Sequence, residues 1–312
     1  MPRRTGGFIG HRGLQAPDPP TAVTPTAGNA QVSVAFTAPS DVGDDAITAF
    51  VATTDDGIGA TGSSSPITIT GLTNSTTYTA RVYAINDYGT SAPSDASDSF
   101  TPVLNRALFA GGKVSGSLVN VIGYVEIATT SNATDFGDLT TSRDALASVA
   151  SSTRGVFAGG DSGSKSNVMD YVTIGSTGNA QDFGDLSNAS SWSSGVGNST
   201  RGVFGLGVLS GGYTNIMEYI TIASTGNTTD FGDRTVATGY SAGFGSSTRG
   251  IFSSGGTSGT TYSNVIDYIT IGSTGNATDF GDTTAGKYYA SGFSSATRGV
   301  IGGGRVSGNQ LT

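Results

Sequence analysis

The sequence predicts an all-β protein, a two-sheet sandwich followed by an array of repeated four-strand units. Three observations carry this reading. The 312 residues include 49 glycines and abundant Ser and Thr, only 12% are charged, and no amphipathic pattern reaches helical length. Residues 18–102 alternate over short stretches separated by turn residues. From about residue 103 to 312, a unit of about 48 residues recurs.

After the Pro-rich stretch APDPPTAVTP, the segment QVSVAFTAPS places Val32, Val34 and Phe36 on one face. AITAFVATT, SPITITGL and TTYTARVYAIND follow, each bounded by Gly, Asn, Asp or Ser. In the last of these, Tyr78, Ala80, Val82 and Ala84 share the inward parity, leaving Arg81 and Tyr83 on the wetter face. Strands of this length at this spacing, in about 85 residues, fit a two-sheet sandwich. The segment resembles a fibronectin type III domain through several features: Pro19-Pro20, Leu72 followed by Thr77-Tyr78 at the tyrosine-corner position, RVYAIN at 81–86 and GTSAPS at 89–94. Phe36 stands where that family usually carries a core Trp. No Arg-Gly-Asp loop is present, so the resemblance implies a spacer or docking module without chemistry.

The repeats are marked by Asp135-Phe136-Gly137, Asp182-Phe183-Gly184, Asp230-Phe231-Gly232 and Asp279-Phe280-Gly281, at spacings of 47, 48 and 49 residues. In protein kinases this triplet holds magnesium, but only beside a Gly-rich loop, a strand lysine and a His-Arg-Asp loop, none of which occurs here. Four copies mark a structural unit instead, and each is read as a turn of its unit. A Thr-Arg-Gly element recurs at Arg154, Arg201, Arg249 and Arg298, with a weaker forerunner at Arg106. NVIGYVEI, NVMDYVTI, NIMEYITI and NVIDYITI place Tyr124, Tyr171, Tyr219 and Tyr268 in one column.

Each unit thus offers about four short strands, as propeller blades do. The units resemble kelch repeats over about 200 residues: Gly159-Gly160 end one strand, Asn167, Val168 and Tyr171 lie in the next, and Phe183 lies in a short one. Phe136, Phe183, Phe231 and Phe280 occupy the place of the kelch Trp, and FGLG at 204–207 loses a paired glycine. The resemblance implies a small β-propeller of four full repeats and a partial fifth. The paired-glycine strand occurs five times and the other elements four times, so two arrangements stay open. One is a ring of four or five blades closed by shared strands, the other an arc completed by a neighbouring chain.

Composition narrows the chemistry. A net charge of −8 from scattered carboxylates argues against a nucleic-acid or anionic-membrane surface. The absence of cysteine removes disulfides and thiolate zinc sites. The single histidine, His11, removes His-based triads and multi-His metal sites, and reads as an exposed tail residue. The aspartates of the four DFGD stretches could face calcium, but two carboxylates per turn fall short of six ligands, and they read as acceptors of backbone N–H groups. Sialidase Asp-boxes have Ser two residues before the Asp and an aromatic five after. Here those positions hold Ala133, Ala180, Thr228 or Ala277, and Thr140, Ser187, Thr235 or Thr284. The periodic arginines fit one ion pair or cap per unit, and no asymmetric carboxylate pair suits a glycosidase. The chain is read as non-enzymatic, with no catalytic residue, metal or cofactor.

Aromatic residues in irregular positions carry the binding expectation. The column before each Thr-Arg-Gly element reads Ala145, Trp192, Tyr240 and Tyr289, with Tyr288 beside the last, and variable loops add Tyr213 and Tyr262. Such faces stack on sugar rings or pack on another protein. Packing between units competes for Trp192, Tyr240 and Tyr289, whereas the loop tyrosines lean toward contact.

Residues 1–17 form an Arg/Gly-rich arm with Arg3, Arg4 and Arg12 among glycines and one apolar pair, Phe8-Ile9. It lacks the apolar stretch of about 7–15 residues of a secretory signal, and no run nears the ~20 residues of a membrane span. The expectation is a chain that stays in the cytoplasm unless carried out, with the sequons at Asn132, Asn227 and Asn276 unmodified. A surface of extracellular character without an export signal suits a particle assembled in the cytoplasm and released by lysis.

The repeats resemble those of fibre and appendage proteins of tailed bacteriophages. That resemblance implies a virion structural protein, homo-oligomeric on the particle. Arg3, Arg4, Phe8, Ile9 and Arg12 would dock it on other virion proteins, and the repeats would meet host-surface glycans. Alternatives left open are a capsid decoration or tail adaptor protein, a polysaccharide-degrading enzyme and a bacterial surface adhesin.

Overall fold

The computed structural model describes residues 15–310 apart from 75, 104, 105, 128, 129, 307 and 308. Every element assigned among these residues is a strand, and no helix is long and apolar enough to cross a membrane. The chain divides into two compact units between Asn105 and Arg106.

In the first unit, Gln31–Thr37 runs between Thr21–Gly28 and Ile67–Thr70 in an antiparallel three-stranded sheet. A four-stranded sheet is centred on Ala49–Thr54 and Ala80–Asn86, with Gly59–Gly62 and Gly89–Thr90 at its edges. The predicted inward residues Val32, Val34, Phe36, Tyr78, Ala80, Val82 and Ala84 are all buried in one core. Phe36 meets Phe50 with ring centroids 4.9 Å apart, which fills the position of the absent Trp. Tyr78 Oη accepts the N–H of Thr73 at 3.1 Å, forming the tyrosine corner expected from the sequence. Ser91, Ser94 and Ser97 add an edge that no alternation reveals. Each donates its N–H to the carbonyl of Ala84, Val82 or Ala80 and accepts that residue's N–H at Oγ.

The second unit repeats one antiparallel four-stranded plan three times. First strands are Ala147–Ala150, Ser194–Gly197 and Ala242–Gly245; second strands are Arg154–Ala158, Arg201–Gly205 and Arg249–Gly256. Third strands are Ser166–Thr173, Ile216–Thr221 and Tyr262–Thr270, and fourth strands are Gln181–Ser190, Thr229–Asp233 and Thr278–Asp282. An incomplete sheet precedes them, with Arg106–Ala110, Val121–Glu126 and Thr134–Asp138 as second to fourth strands. A hairpin of Ser291–Ser294 and Gly299–Gly302, first and second strands alone, follows. Among the described residues no strand pairing joins these two ends. First strands of successive sheets run in contact with one another. Their approach is close enough that a Cβ on Gly195 would lie 2.2 Å from the Ser148 carbonyl oxygen, and one on Gly243 2.5 Å from that of Gly195.

The Asp-Phe-Gly stretches are not turns, as their composition suggested, but bulged fourth strands. The register slips opposite each one, and the glycines at 137, 184, 232 and 281 take φ of 145°, 137°, 134° and 134°. The bulge turns the Phe inward: Phe136, Phe183 and Phe231 are each 2% exposed. It also lets the next repeat approach, with the N–H of Gly178, Gly226 and Gly275 donating to the carbonyls of Phe136, Phe183 and Phe231 at 2.7 Å. The Oδ1 atoms of Asn179, Asn227 and Asn276 accept the N–H groups of Asp138, Asp185 and Asp233 across the same junctions, so two of the predicted sequons serve packing.

Each second-strand arginine caps the junction. Arg106, Arg154 and Arg201 stack on Tyr124, Tyr171 and Tyr219 at 4.4, 4.3 and 4.5 Å. Each donates Nη1, at 3.0 Å, to the carbonyl of Ile174, Ile222 or Ile271 in the following repeat. Arg106 alone among them also forms an ion pair, with Glu126 at 2.9 Å. At the end of the array Arg249 still stacks on Tyr268 at 4.5 Å, but Phe280 is 56% exposed. A cavity of about 420 Å³ opens between these residues and the final hairpin.

The junction geometry makes a prediction at Gly184. A Cβ there would lie 2.5 Å from the Gly226 backbone at a φ of +137°. Gly184→Ala is expected to destabilise the chain by about 2–4 kcal/mol, combining overpacking with left-handed strain. Urea denaturation checks this, and an unchanged midpoint would mean the repeats are not held at this distance.

Candidate functional site

The site grows from the linkers between a fourth strand and the next first strand. After each Asp-Phe-Gly bulge stands a hydroxyl residue, Thr140 or Thr235 at the start of its linker and Ser187 still within its fourth strand, that is bonded to a buried carboxylate on the third strand of the following repeat. Thr140 Oγ1 donates to Asp170 Oδ1 at 2.6 Å, Ser187 Oγ to Glu218 Oε1, and Thr235 Oγ1 to Asp267 Oδ1. Asp170, Glu218 and Asp267 are 0%, 2% and 0% exposed. Arg143 Nη2 completes the first set at 2.9 Å from Asp170 Oδ2, and Arg234 Nε the third at 3.2 Å from Asp267 Oδ2. Thr228 Oγ1 supplies the second, 2.6 Å from Glu218 Oε2. Burial lowers the pKa of both arginines, opposed by the charge of the paired aspartate. Sequence reasoning missed these carboxylates; their only trace was an acidic residue directly before each column tyrosine from Tyr171 onward.

Each linker ends in a left-handed residue. Ala145, Trp192, Tyr240 and Tyr289 have φ of 56°, 57°, 61° and 59°. Non-glycine residues hold this conformation at a cost of about 1–2 kcal/mol each. The four form a ladder along the repeats, in which Trp192 N–H donates to the Ala145 carbonyl at 2.9 Å, Tyr240 N–H to that of Trp192 at 3.0 Å, and Tyr289 N–H to that of Tyr240 at 3.2 Å.

The side chains of the last three rungs converge. Trp192 lies 4.6 Å from Tyr240 and 5.2 Å from Tyr289, and Tyr240 lies 4.9 Å from Tyr289, between ring centroids. Tyr288 joins at 4.6 Å from Tyr289. Tyr262, at the start of a third strand, stacks on Tyr288 at 4.5 Å. Tyr213, on the Val208–Leu209/Gly212–Tyr213 hairpin, reaches Tyr240 at 6.4 Å. All six aromatic residues singled out in the sequence therefore form one cluster. Tyr289 is 46% exposed, and the other five are half-buried. Such a surface offers apolar ring faces beside phenolic and indole hydrogen-bonding groups. The phenol of Tyr240 titrates above its ordinary range through burial, then through Tyr289; that of Tyr289 does so through burial, then through Tyr288.

Other predicted positions lie elsewhere. Asp135, Asp182, Asp230 and Asp279 are exposed, each on its own fourth strand, and no group of three metal-ligating side chains occurs among the described residues. Arg3, Arg4, Phe8, Ile9 and Arg12 lie outside the described residues.

Residues 16–100 match the family model of the fibronectin type III domain, and this segment is such a domain. No curated protein matches the chain at a significant level. Among solved structures, the chain is similar in fold to that of YjhT, with a TM-score of 0.55 and 12% identity over 95% of this chain and 93% of the other. It also matches a crystal structure of domains from titin, at 25% identity and a TM-score of 0.27 over 28% of this chain. A structure of titin kinase with its flanking domains matches at 18% identity and a TM-score of 0.26 over 36% of this chain. The chain spans 32% and 28% of the lengths of those two titin chains.

Two outcomes test whether the rings serve packing or presentation. Ala145→Gly is expected to raise stability by about 1 kcal/mol by relieving its left-handed backbone. Tyr289→Gly should leave stability within about 1 kcal/mol of the parent, because the same relief offsets the lost ring contacts. A loss of several kcal/mol on urea denaturation would make Tyr289 a core residue instead. Alkaline pH supplies a second test. Because Tyr240 and Tyr289 are raised in the folded state, their contribution is intact below about pH 10 and is lost as pH rises through the folded values. Ultraviolet titration should resolve a late-ionising class of tyrosines accompanied by loss of stability, and a single class at the ordinary value would contradict it.

Proposed function

We propose that this chain is a non-enzymatic structural component of a tailed-bacteriophage virion, a fibre or appendage protein that attaches to the host surface. In this reading the repeat unit is a kelch-like β-propeller, and residues 1–17 dock the protein on the particle through Arg3, Arg4, Phe8, Ile9 and Arg12. The aromatic cluster is the attachment surface. One observation carries the reading: six aromatic residues from separate linkers and loops converge on one surface, three of them at backbone positions where a bulky side chain is costly. A chain selected for folding alone favours glycine there. Carbohydrate rings are suited to such a surface because their apolar faces stack and their edges accept and donate hydrogen bonds.

A second reading, a decoration or adaptor protein without receptor binding, is favoured by the open end of the array, where Phe280 is 56% exposed. Under that reading the exposed end packs on a neighbouring virion protein.

The two readings separate experimentally. Binding of the purified chain to host envelope polysaccharide is expected to fall about tenfold in Tyr262→Ala and Tyr213→Ala, with particle adsorption falling in parallel. No reducing ends should be released from that polysaccharide. Unchanged binding and adsorption in both variants would overturn the attachment role. Deletion of residues 1–15 should abolish incorporation into particles, and normal incorporation would overturn the docking arm.

A further inference from the structure

The ladder of left-handed residues has one rung without a ring. Where Trp192, Tyr240 and Tyr289 stand in the later repeats, the first has Ala145. The missing ring leaves a cavity of about 280 Å³ bordered by Ala145, Trp192, Ser193, Tyr240, Ser241 and Tyr289, and no charged side chain lines it. This is near the small end of ligand pockets, the size for one ring rather than a chain of them.

The residues at the two ends of the ladder meet at this cavity. Each internal rung joins an N–H to the preceding carbonyl, but neither the N–H of Ala145 nor the carbonyl of Tyr289 has a backbone partner among the described residues. Both residues border the same cavity. An unpaired donor and an unpaired acceptor thus belong to residues bordering the cavity beside Ser193 and Ser241, whose hydroxyls already bond to Ser190 and Gly207, and to Ser194 and Arg234. An apolar molecule would leave the two backbone groups unsatisfied, and an anion would find no charged side chain in the lining.

We propose that the Ala145 gap is a subsite for a single neutral pyranose. Its apolar face stacks on Trp192 and Tyr289, and its hydroxyl edge meets Ser193, Ser241 and the two ladder ends. This deepens the attachment reading and rests on it: the cluster makes the wider contact with polymer, and the gap selects one residue of that polymer.

The chain contains one tryptophan, Trp192, so intrinsic tryptophan fluorescence reports on this site alone. Titration of the full chain with neutral hexopyranoses is expected to give a saturable change with at least one of them. Glucuronic acid should bind about tenfold or more weakly. Ala145→Tyr, a residue the same column already carries at 240 and 289, should fill the gap and weaken monosaccharide binding about tenfold or more. An unchanged urea midpoint in Ala145→Tyr separates occlusion from misfolding.

Equal titration of the parent and Ala145→Tyr overturns the subsite, as does the absence of a saturable change with any neutral hexopyranose. Glucuronic acid binding as tightly as the neutral sugars overturns its neutral selectivity. In each case polysaccharide binding by the parent, with its loss in Tyr262→Ala, shows that the attachment reading survives. Loss of both signals removes the two together.

Discussion

Each complete junction between repeats turns on one buried carboxylate. Asp170, Glu218 and Asp267 reach back from a third strand and are held by the linker of the preceding repeat. Removing such a group from water costs several kcal/mol, and its partners at best recover that cost, so the net gain in stability is small. What the arrangement supplies is register. A carboxylate held by Thr140, Ser187 or Thr235, and in the first and third junctions also by Arg143 or Arg234 of the same linker, favours one placement of that linker, because displacing it strips a buried carboxylate of these partners. Five residues further on, that linker carries Ala145, Trp192 or Tyr240. The aromatic cluster is therefore positioned from inside the protein, by polar groups that never touch it. The first junction is less complete than the third: Arg143 is fully buried, yet its Nε and Nη1 find no partner, whereas Arg234 also reaches Thr238 and Ser241.

Much of this was legible in the chain, for definable reasons. The sandwich announced itself through strict alternation, because one face of each strand is wet and the other dry. The repeats showed as columns, since a junction made three times needs the same residues three times. Two features were not legible. Asp-Phe-Gly looks like a turn because Asp and Gly are turn residues, yet the same glycine serves a bulge in a fourth strand. Asp170, Glu218 and Asp267 alternate like exposed residues, but these sheets are covered on both faces by their neighbours, so alternation no longer reports burial. At the site, the column of Trp192, Tyr240 and Tyr289 could be read from spacing. Its meeting with Tyr213 and Tyr262 could not, because those two lie outside the column and reach it only through the packing of successive sheets.

The left-handed column shows how function and folding compete in one residue. Linkers that turn from an outer strand back to a first strand need this conformation, and glycine would supply it without strain. The chain instead places Trp192, Tyr240 and Tyr289 there, while using glycine freely at other positive-φ positions such as Gly137 and Gly159. Strain retained where relief is one substitution away is the pattern of a residue kept for what it presents. Ala145 bears the same strain without a ring, so the gap is as much a feature of the surface as the rings around it.

The two ends of the array are not equivalent. In complete junctions a side chain from the preceding first strand packs over a second-strand glycine: a Cβ on Gly202 would lie 2.4 Å from Val149, and one on Gly250 2.6 Å from Val196. The first repeat carries Ala107 in that column, and Gly123 in place of the buried carboxylate. It therefore lacks both the clearance and the charge with which later repeats receive a predecessor. The far end keeps its half of the junction. Arg249 is stacked on Tyr268 as its counterparts are in earlier repeats, Thr284 stands in the hydroxyl column, and Phe280 keeps the edge-to-face contact with Tyr268 on a bulged strand built like those before it, its ring uncovered. The array is thus directional, with an opening surface unsuited to a repeat of its own kind and a closing surface that retains the chemistry of an internal junction.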